Sequence, residues 1–376
     1  MRIGLDARYA SDHFPGIGRS IVGLVQAMAE LEHGHTLVLL IDPRAGTGRY
    51  DLAALTRLPR VEVAHLAASP FGAAQHVTVP ALARRLRLDL LHSPYFVKPY
   101  LGLPCPSVVT VYDLIGWRFP RTLSWRGRLF YRAAMALTMR TAATIITISE
   151  SARADLARIY RLPAERLAVT PLAAGRRFKP QPAEAVAAAK AHYSLPERYV
   201  LYLGSNKPHK NLERLVRAWE RVLVEGAAEG ATLVIAGHQD RKHPEVRRFV
   251  AARKLGASVR FLPNVNDADL PALYSGATVF AFPSYYEGFG LPPLEAMACG
   301  TPVLCAHASS LPEVVGQAAL MVDPFNVAAL AEGLARLLRD PALRRELSAR
   351  GQHRAREFSW RRTAIGTLRV YERVMD

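Results

Sequence analysis

Two carboxylates eight positions apart, Glu287 and Glu295, lie in the stretch YYEGFGLPPLEAMACGTP (Tyr285–Pro302), which is otherwise mostly apolar and broken by glycine and proline. Carboxylates accept charge-assisted hydrogen bonds, so a pair of them suits the vicinal hydroxyls of a polyol or a ribose. Gly288 and Gly290 let the backbone come close to a ligand. The run ATVFAFPS just before reads as a buried strand, and a helix is expected to begin near Leu291. Pro292 and Pro293 fit the first turn of that helix, where a missing N–H costs little. N–H groups at the helix start would face the strand's end and bind phosphate or sugar oxygens. Glu295 falls about one turn in, so both acids can face one ligand. The plainer reading makes Glu287 a helix-start charge and Glu295 a surface residue.

The elements around this stretch alternate. In the first half, short β-branched or apolar runs read as strands: RIGLD, HTLVLLID, LDLLHS, SVVTVYD, ATIITIS and RLAVTP. In the second half they are YVLYLG, ATLVIAG, SVRFLP, ATVFAFPS, TPVLCA and ALMVDP. Helical patterns separate most of them. Nearly continuous apolar strands alternating with helices indicate parallel sheets covered on both faces. The chain therefore reads as α/β, with two tandem Rossmann-like, doubly wound domains facing across a cleft. In such sheets ligands sit beyond the carboxyl ends of the strands. The best linker candidate is the proline-bearing stretch Gly175–Arg198, which places the domains at 1–175 and 176–358, with a C-terminal helix from 359 to 376 packing back on the first.

Composition narrows the function classes. The 376 residues suit two domains and half of them are hydrophobic, yet no apolar run is long enough to span a bilayer. The N-terminus reads as a strand with no signal-peptide pattern, and three scattered cysteines (Cys105, Cys299, Cys305) read as reduced core residues of a cytoplasmic protein. The net charge of +17 is uneven: residues 1–180 carry 24 basic and 12 acidic residues, a net of +12, and the rest a net of +5. Such a basic half suits an anionic partner, or else reflects solvated arginine-rich faces. The segment Gly116–Arg140 mixes Trp117, Phe119, Trp125, Phe130 and Tyr131 with six arginines. That is an interfacial composition, consistent with peripheral contact at an anionic membrane. The alternative is a helix packing its aromatics on the sheet.

Taken with its flanks, E287-G-F-G-L-P-P-L-E295-A-M-A-C-G-T-P-V resembles the E-x7-E signature of retaining glycosyltransferases of the GT-B fold, specifically glycosyltransferase family 4. PGIGRS (Pro15–Ser20) resembles the family's glycine-rich loop, VYDLI (Val111–Ile115) a strand end of its first domain, and YLGSNKPHKNLERLVRAW (Tyr202–Trp219) its donor diphosphate loop. The resemblance spans nearly the whole chain in order. It implies a hexosyltransferase using a nucleotide-diphosphate sugar, with the acceptor on the first domain and the donor on the second. Glu287 would bind the donor sugar and Glu295 the nucleotide ribose. The amides of Gly288, Phe289, Gly290 and Leu291 would hold sugar and phosphate oxygens. Lys210 would meet the diphosphate beside Gly204, with Gly16 and Gly18 contributing from the first domain. No metal and no cofactor are implied, because a lysine and a helix start can neutralise the departing diphosphate.

Two positions depart from the family pattern. No arginine follows Gly204, so Lys207 or His209 would substitute; and Tyr112–Asp113 stands where many relatives have His-Asp. The PHKN loop and the HSPYF stretch look most like mannosyltransferases of the family, which favours GDP-mannose as donor, with UDP-sugars next. The acceptor would be a glycan or a lipid-linked glycan in polysaccharide or glycoconjugate biosynthesis. Rival readings are a sugar-nucleotide epimerase or hydrolase on the same architecture, and a non-enzymatic carbohydrate- or nucleic-acid-binding protein. No nucleic-acid-binding signature accompanies the charge. His92 is expected to be a packed strand-end residue, and G-I-G-R-S-I-V-G lacks the spacing of a dinucleotide fingerprint.

Overall fold

The computed structural model describes residues 1–11, 15–44 and 50–376. The chain divides into two compact units: Met1–Leu172 together with Ser359–Asp376, and Ala173–Phe358.

The first unit holds a seven-stranded parallel sheet. Its strands are β1 (Arg2–Asp6), β2 (Thr36–Ile41), β3 (Val61–His65), β4 (Leu90–Ser93), β5 (Ser107–Val111), β6 (Thr144–Thr147) and β7 (Leu167–Val169), in the order β3-β2-β1-β4-β5-β6-β7. Six of the seven match the apolar runs. The seventh, VEVAH, differs because it is an edge strand: Glu62 and His65 are exposed while Val61 and Ala64 are buried, so it lacks a continuous apolar run. The helix Trp360–Met375 belongs to this unit. Ser359 caps it by accepting a hydrogen bond from the Arg362 amide at 3.2 Å. It packs on the helix Pro15–Ala29 so closely that a Cβ on Gly23 would come within 2.5 Å of the Trp360 ring.

The second unit holds β8 (Tyr199–Leu203), β9 (Thr232–Ala236), β10 (Val259–Leu262), β11 (Val279–Phe282), β12 (Val303–Ala306) and β13 (Leu320–Val322), in the order β10-β9-β8-β11-β12-β13. All pairs are parallel. The order reverses between β8 and β11, which pair directly through Val200–Val279 and Leu201–Phe280. Crevices beyond such a reversal are where these sheets take ligands. The helix Leu212–Val224 covers one face by burying Leu215, Val216, Trp219 and Val222 at helical spacing, and the Trp219 indole donates to the Ser258 carbonyl at 3.1 Å. Within the stretch read as a linker, Ala183–His192 is helical and packs on the helix Leu270–Ser275. Its alanines gave little periodicity to read.

Candidate active site

Two loops meet at the strand reversal of the second unit. The first leaves β8 through Gly204. Gly237, just past β9 with a φ of +110°, approaches it so closely that a Cβ there would lie 2.5 Å from the Gly204 carbonyl oxygen. The loop is then fixed by two buried asparagines. Asn206 donates to the carbonyls of Asp240 (3.0 Å) and His243 (2.7 Å) and accepts from the Asp240 amide (2.7 Å). Asn211, in the left-handed region at φ +62°, donates to the carbonyls of Pro283 (3.0 Å) and Pro324 (2.7 Å). It thereby ties together the segments that follow β8, β11 and β13. The backbone adds one more tie, from the Tyr285 amide to the His209 carbonyl at 3.0 Å.

The second loop follows β11 and carries Glu287. Its backbone is held by two serines from the segment before the helix Leu311–Val315. The Ser309 hydroxyl accepts from the Glu287 amide at 2.8 Å and donates to the Glu287 carbonyl at 2.9 Å. The Ser310 hydroxyl reaches the carbonyls of Glu287 (3.0 Å) and Phe289 (2.6 Å). Ser309 itself sits at φ +49°, a conformation costing a non-glycine residue of order 1 kcal/mol. Gly290 has φ +125°, and a Cβ there would lie 2.8 Å from Leu311. The helix Leu291–Ala298 then begins with Pro292 and Pro293 in its first turn. Leu291 is therefore the last residue with an N–H before two that have none. The Phe289 ring turns inward against Phe358, with centroids 5.7 Å apart, and the residue is buried.

These two loops bring Lys210 and Glu287 together. The Lys210 ammonium donates to both Glu287 oxygens, at 2.7 and 3.0 Å, with the side chains only 16% and 11% exposed. Glu295 goes elsewhere. It is 1% exposed, and its Oε2 accepts from the Tyr274 hydroxyl at 3.2 Å. The surface alternative for this acid is thus overturned: the eight-residue spacing carries it from loop to helix and into the interior. Lys207 is exposed, whereas His209 is 1% exposed and its imidazole is pushed down to about 3, first by burial and then by Lys210 and Lys207. A neutral, buried imidazole supplies no positive charge to an anion.

In the first unit, Gly16 and Gly18 lie in the first turn of the helix Pro15–Ala29 rather than in a loop. Gly18 is needed for space, since a Cβ there would fall 2.4 Å from the Tyr50 ring. Ser20, one turn further, donates to the Gly16 carbonyl at 3.0 Å and hydrogen-bonds the Tyr112 phenol, whose ionisation burial pushes up. Asp113 accepts from the Ile115 amide at 2.9 Å, closing a short turn after β5. His92 is packed as expected, with Nδ1 2.6 Å from the Tyr371 hydroxyl and Nε2 2.8 Å from Thr110 Oγ1. Burial pushes its imidazole down to about 3.

Sequence reasoning singled out the acids, glycines and lysine but missed Asn206, Asn211, Ser309, Ser310 and Tyr274. The asparagines had a signal, since each sits between a strand end and a helix start where an amide can tie loops. The serines had only the dipeptide before LPEV.

Two doubly wound parallel sheets, with an acid–lysine pair at the strand reversal of the second, define a glycosyltransferase of the GT-B class. The comparisons agree. The family model "Glycosyltransferase Family 4" matches residues 15–173, and "Glycosyl transferases group 1" matches residues 188–354. Over 373 residues the chain is 30% identical to the O-antigen chain mannosyltransferase B of Escherichia coli, covering 95% of this chain and 96% of that protein. It is 31% identical over 264 residues to an MMP alpha-(1->4)-mannosyltransferase of Mycolicibacterium hassiacum, covering 69% of this chain and 60% of the relative. Among solved structures, sucrose-phosphate synthase from Thermosynechococcus elongatus superposes with a TM-score of 0.79 at 24% identity, covering 100% of this chain and 99% of that one. Anabaena HepE, solved in complex with UDP and glucose, superposes with a TM-score of 0.75 at 18% identity and 99% coverage of each chain. The chain belongs to the family 4 glycosyltransferases and is an enzyme of that class.

Proposed function

We propose that this enzyme transfers mannose from a nucleotide-diphosphate mannose, GDP-mannose before any UDP-sugar, to a hydroxyl of a glycan or lipid-linked glycan, with retention at the anomeric carbon and without a metal. The observation that carries the reading is the Lys210–Glu287 pair at the reversal of the second sheet. Two kinds of charge must be met when the glycosidic phosphate bond breaks. The sugar gains positive character and the diphosphate gains negative charge. A carboxylate and an ammonium 2.7 Å apart match that separation, Glu287 on the sugar side and Lys210 on the diphosphate. The backbone amides from Gly288 to Leu291 add donors for the sugar and phosphate oxygens. Lys207, exposed at the start of its turn, takes the place of the family's arginine, because His209 is buried and neutral. Glu295 serves the nucleotide ribose. The attacking hydroxyl passes its proton to the departing phosphate oxygen on the same face, so no separate base is required. The mannosyltransferase names of full-length and partial relatives support the choice of sugar.

Thermal shift across GDP-, UDP-, ADP- and dTDP-sugars tests the donor, because a bound ligand stabilises the fold by mass action. GDP-mannose is expected to give the largest shift. Transfer from it, followed by NMR, is expected to yield an α-linked product from the α-linked donor and to continue in excess EDTA. Stabilisation by UDP-sugars alone, a β-linked product, or activity that EDTA abolishes and magnesium restores would each overturn the corresponding part.

A further inference from the structure

Lys98, in the segment between β4 and β5, is a charged side chain buried without a counterion. It is 1% exposed. Its ammonium donates to the Pro99 carbonyl at 3.1 Å and lies 5.6 Å from the centroid of the Tyr100 ring. Lysines are almost never fully buried unless paired. Among the described residues no carboxylate pairs with this one, and burial alone pushes its ionisation down, to about 8. At pH 7 it therefore remains mostly charged. An ammonium carries three donors, so two of them are left for a partner outside the protein. Taking such an ion from water is costly until those donors are met.

Lys98 lines a cavity of about 330 Å³ at the amino ends of β5 and β6, a size that suits a small molecule. Lys98 and Ser107 are buried there, whereas Gly102 and Thr141 are exposed, so the cavity reaches from open surface to a buried cation. Two guanidinium groups brace its walls. Arg84 donates to the Gly102 carbonyl at 2.7 Å, and Arg166 to the Ala142 carbonyl at 2.5 Å. The acid that acts on this lining is Asp89, which adds to burial in pushing the Cys105 thiol up to about 11; its carboxylate accepts from the Arg2 amide at 2.6 Å. The cavity lies at the opposite edge of the sheet from Tyr112 and Asp113, which follow the carboxyl end of β5. Sheets of this kind ordinarily take their substrates beyond the carboxyl ends. We propose that this cavity is a second ligand site, which takes a phosphate group, as orthophosphate or as a small phosphorylated molecule, on the Lys98 ammonium. A phosphate dianion suits it better than a carboxylate, because Arg84 and Arg166 add positive charge at the walls. The site is argued from the first unit alone and does not depend on the donor or acceptor assigned above.

The test titrates the full chain with orthophosphate and with glucose 6-phosphate in a calorimeter, with neither donor nor acceptor present. The same titrations are run on Lys98→Met and on Lys210→Met, the latter to separate this cavity from any phosphate held at the Lys210 loop. The parent and Lys210→Met are both expected to bind. Lys98→Met should bind about ten- to a hundredfold more weakly, the scale of a lost hydrogen bond to a charged group. Arg84→Ser should weaken binding by only about two- to fivefold, because its guanidinium is exposed. Without ligand, Lys98→Met should melt at or above the parent temperature, since an apolar chain of similar length replaces an unpaired buried charge. If it melts lower because the Pro99 carbonyl loses its donor, Lys98→Gln keeps a donor without the charge and carries the same comparison. Tighter binding of glucose 6-phosphate would assign the rest of the cavity to the organic part of a phosphorylated molecule, and equal affinities would assign the site to orthophosphate. Binding that Lys210→Met abolishes and Lys98→Met leaves unchanged overturns the proposal. So does a parent protein that takes up neither probe at millimolar concentration.

Discussion

Lys210 and Glu287 neutralise each other, and that makes stability and turnover separable. Consider Lys210→Met, which keeps the length of the side chain and removes the charge. Breaking a fully buried ion pair from one side costs roughly 3–5 kcal/mol, because the remaining charge is stranded. Here the side chains keep 16% and 11% of their exposure, so water screens part of this and about 2 kcal/mol is the appropriate scale. For a domain of this size that lowers the melting temperature of the second unit by about 4–8 °C. Adding Glu287→Gln removes the stranded carboxylate. The double variant should therefore regain at least half of the lost stability, a coupling of about 1–2 kcal/mol. Activity should behave oppositely. Loss of one charge-assisted contact to a developing oxyanion costs roughly 2.7–4 kcal/mol of barrier, about a hundred- to a thousandfold in rate. The double variant should be no more active than Lys210→Met, since sugar and diphosphate each lose their partner. Calorimetry of four proteins, with donor-varied kinetics of the same four, completes the cycle. If the second substitution lowers the melting temperature further, the pair contributes no coupled stability. If it restores turnover, Lys210 acts only by neutralising Glu287, and the catalytic assignment fails.

Glu287→Gln should chiefly lower kcat and leave free GDP binding near normal, while Glu295→Gln should weaken GDP binding. A lowered melting temperature with unchanged GDP affinity would instead make Glu295 a purely structural partner of Tyr274. Ser309→Ala should cut kcat/KM by about tenfold, the scale of two lost hydrogen bonds at about 1 kcal/mol each, tempered by relaxation of the loop. Ser309→Gly should cost less stability than Ser309→Ala because it relieves the left-handed backbone; equal stabilities would show that φ +49° carries no strain. His92, held near 3 when folded against an ordinary 6.5, contributes stability that is complete above pH 6.5 and drains away as pH falls toward 3. By pH 5 this amounts to about 2 kcal/mol, so His92→Gln should flatten the acid limb of a plot of melting temperature against pH, and an unchanged limb would refute the assignment.

Much of the fold was legible because parallel strands buried on both faces must be continuously apolar. ATVFAFPS, ATLVIAG and TPVLCA therefore marked themselves. Among the strands of the described residues only VEVAH escaped, and it escaped by being an edge, where one side of a strand meets water. The helix inside Gly175–Arg198 escaped for a different reason. A run of alanines has high helix propensity but too little contrast between faces to show a period. The aromatic segment from Gly116 to Arg140 was legible only as a choice between packing and display. The backbone resolves that choice residue by residue, turning Tyr131 inward and leaving Trp125 and Phe130 out.

The site shows where such reading stops. Residue types told what Glu287 and Lys210 offer, and strand-loop-helix order told which edge they occupy. Nothing in their neighbourhood told that they would touch, because the contact spans 77 positions and depends on two strands becoming neighbours. The same holds for the clasp on the Glu287 loop, whose serines lie 22 and 23 positions downstream. A glycine at 309 would suit the backbone and leave the loop unheld. A serine accepts about 1 kcal/mol of strain and offsets it with two hydrogen bonds to one peptide unit's neighbours. That exchange makes sense if the position of the Glu287 backbone, rather than the stability of the turn, is what the loop must fix. A carboxylate on a mobile loop would follow the sugar as it loosens. One held from behind at both its N–H and its carbonyl stays where, on the proposed reading, positive charge develops, which is the condition for favouring the transition state over the bound donor.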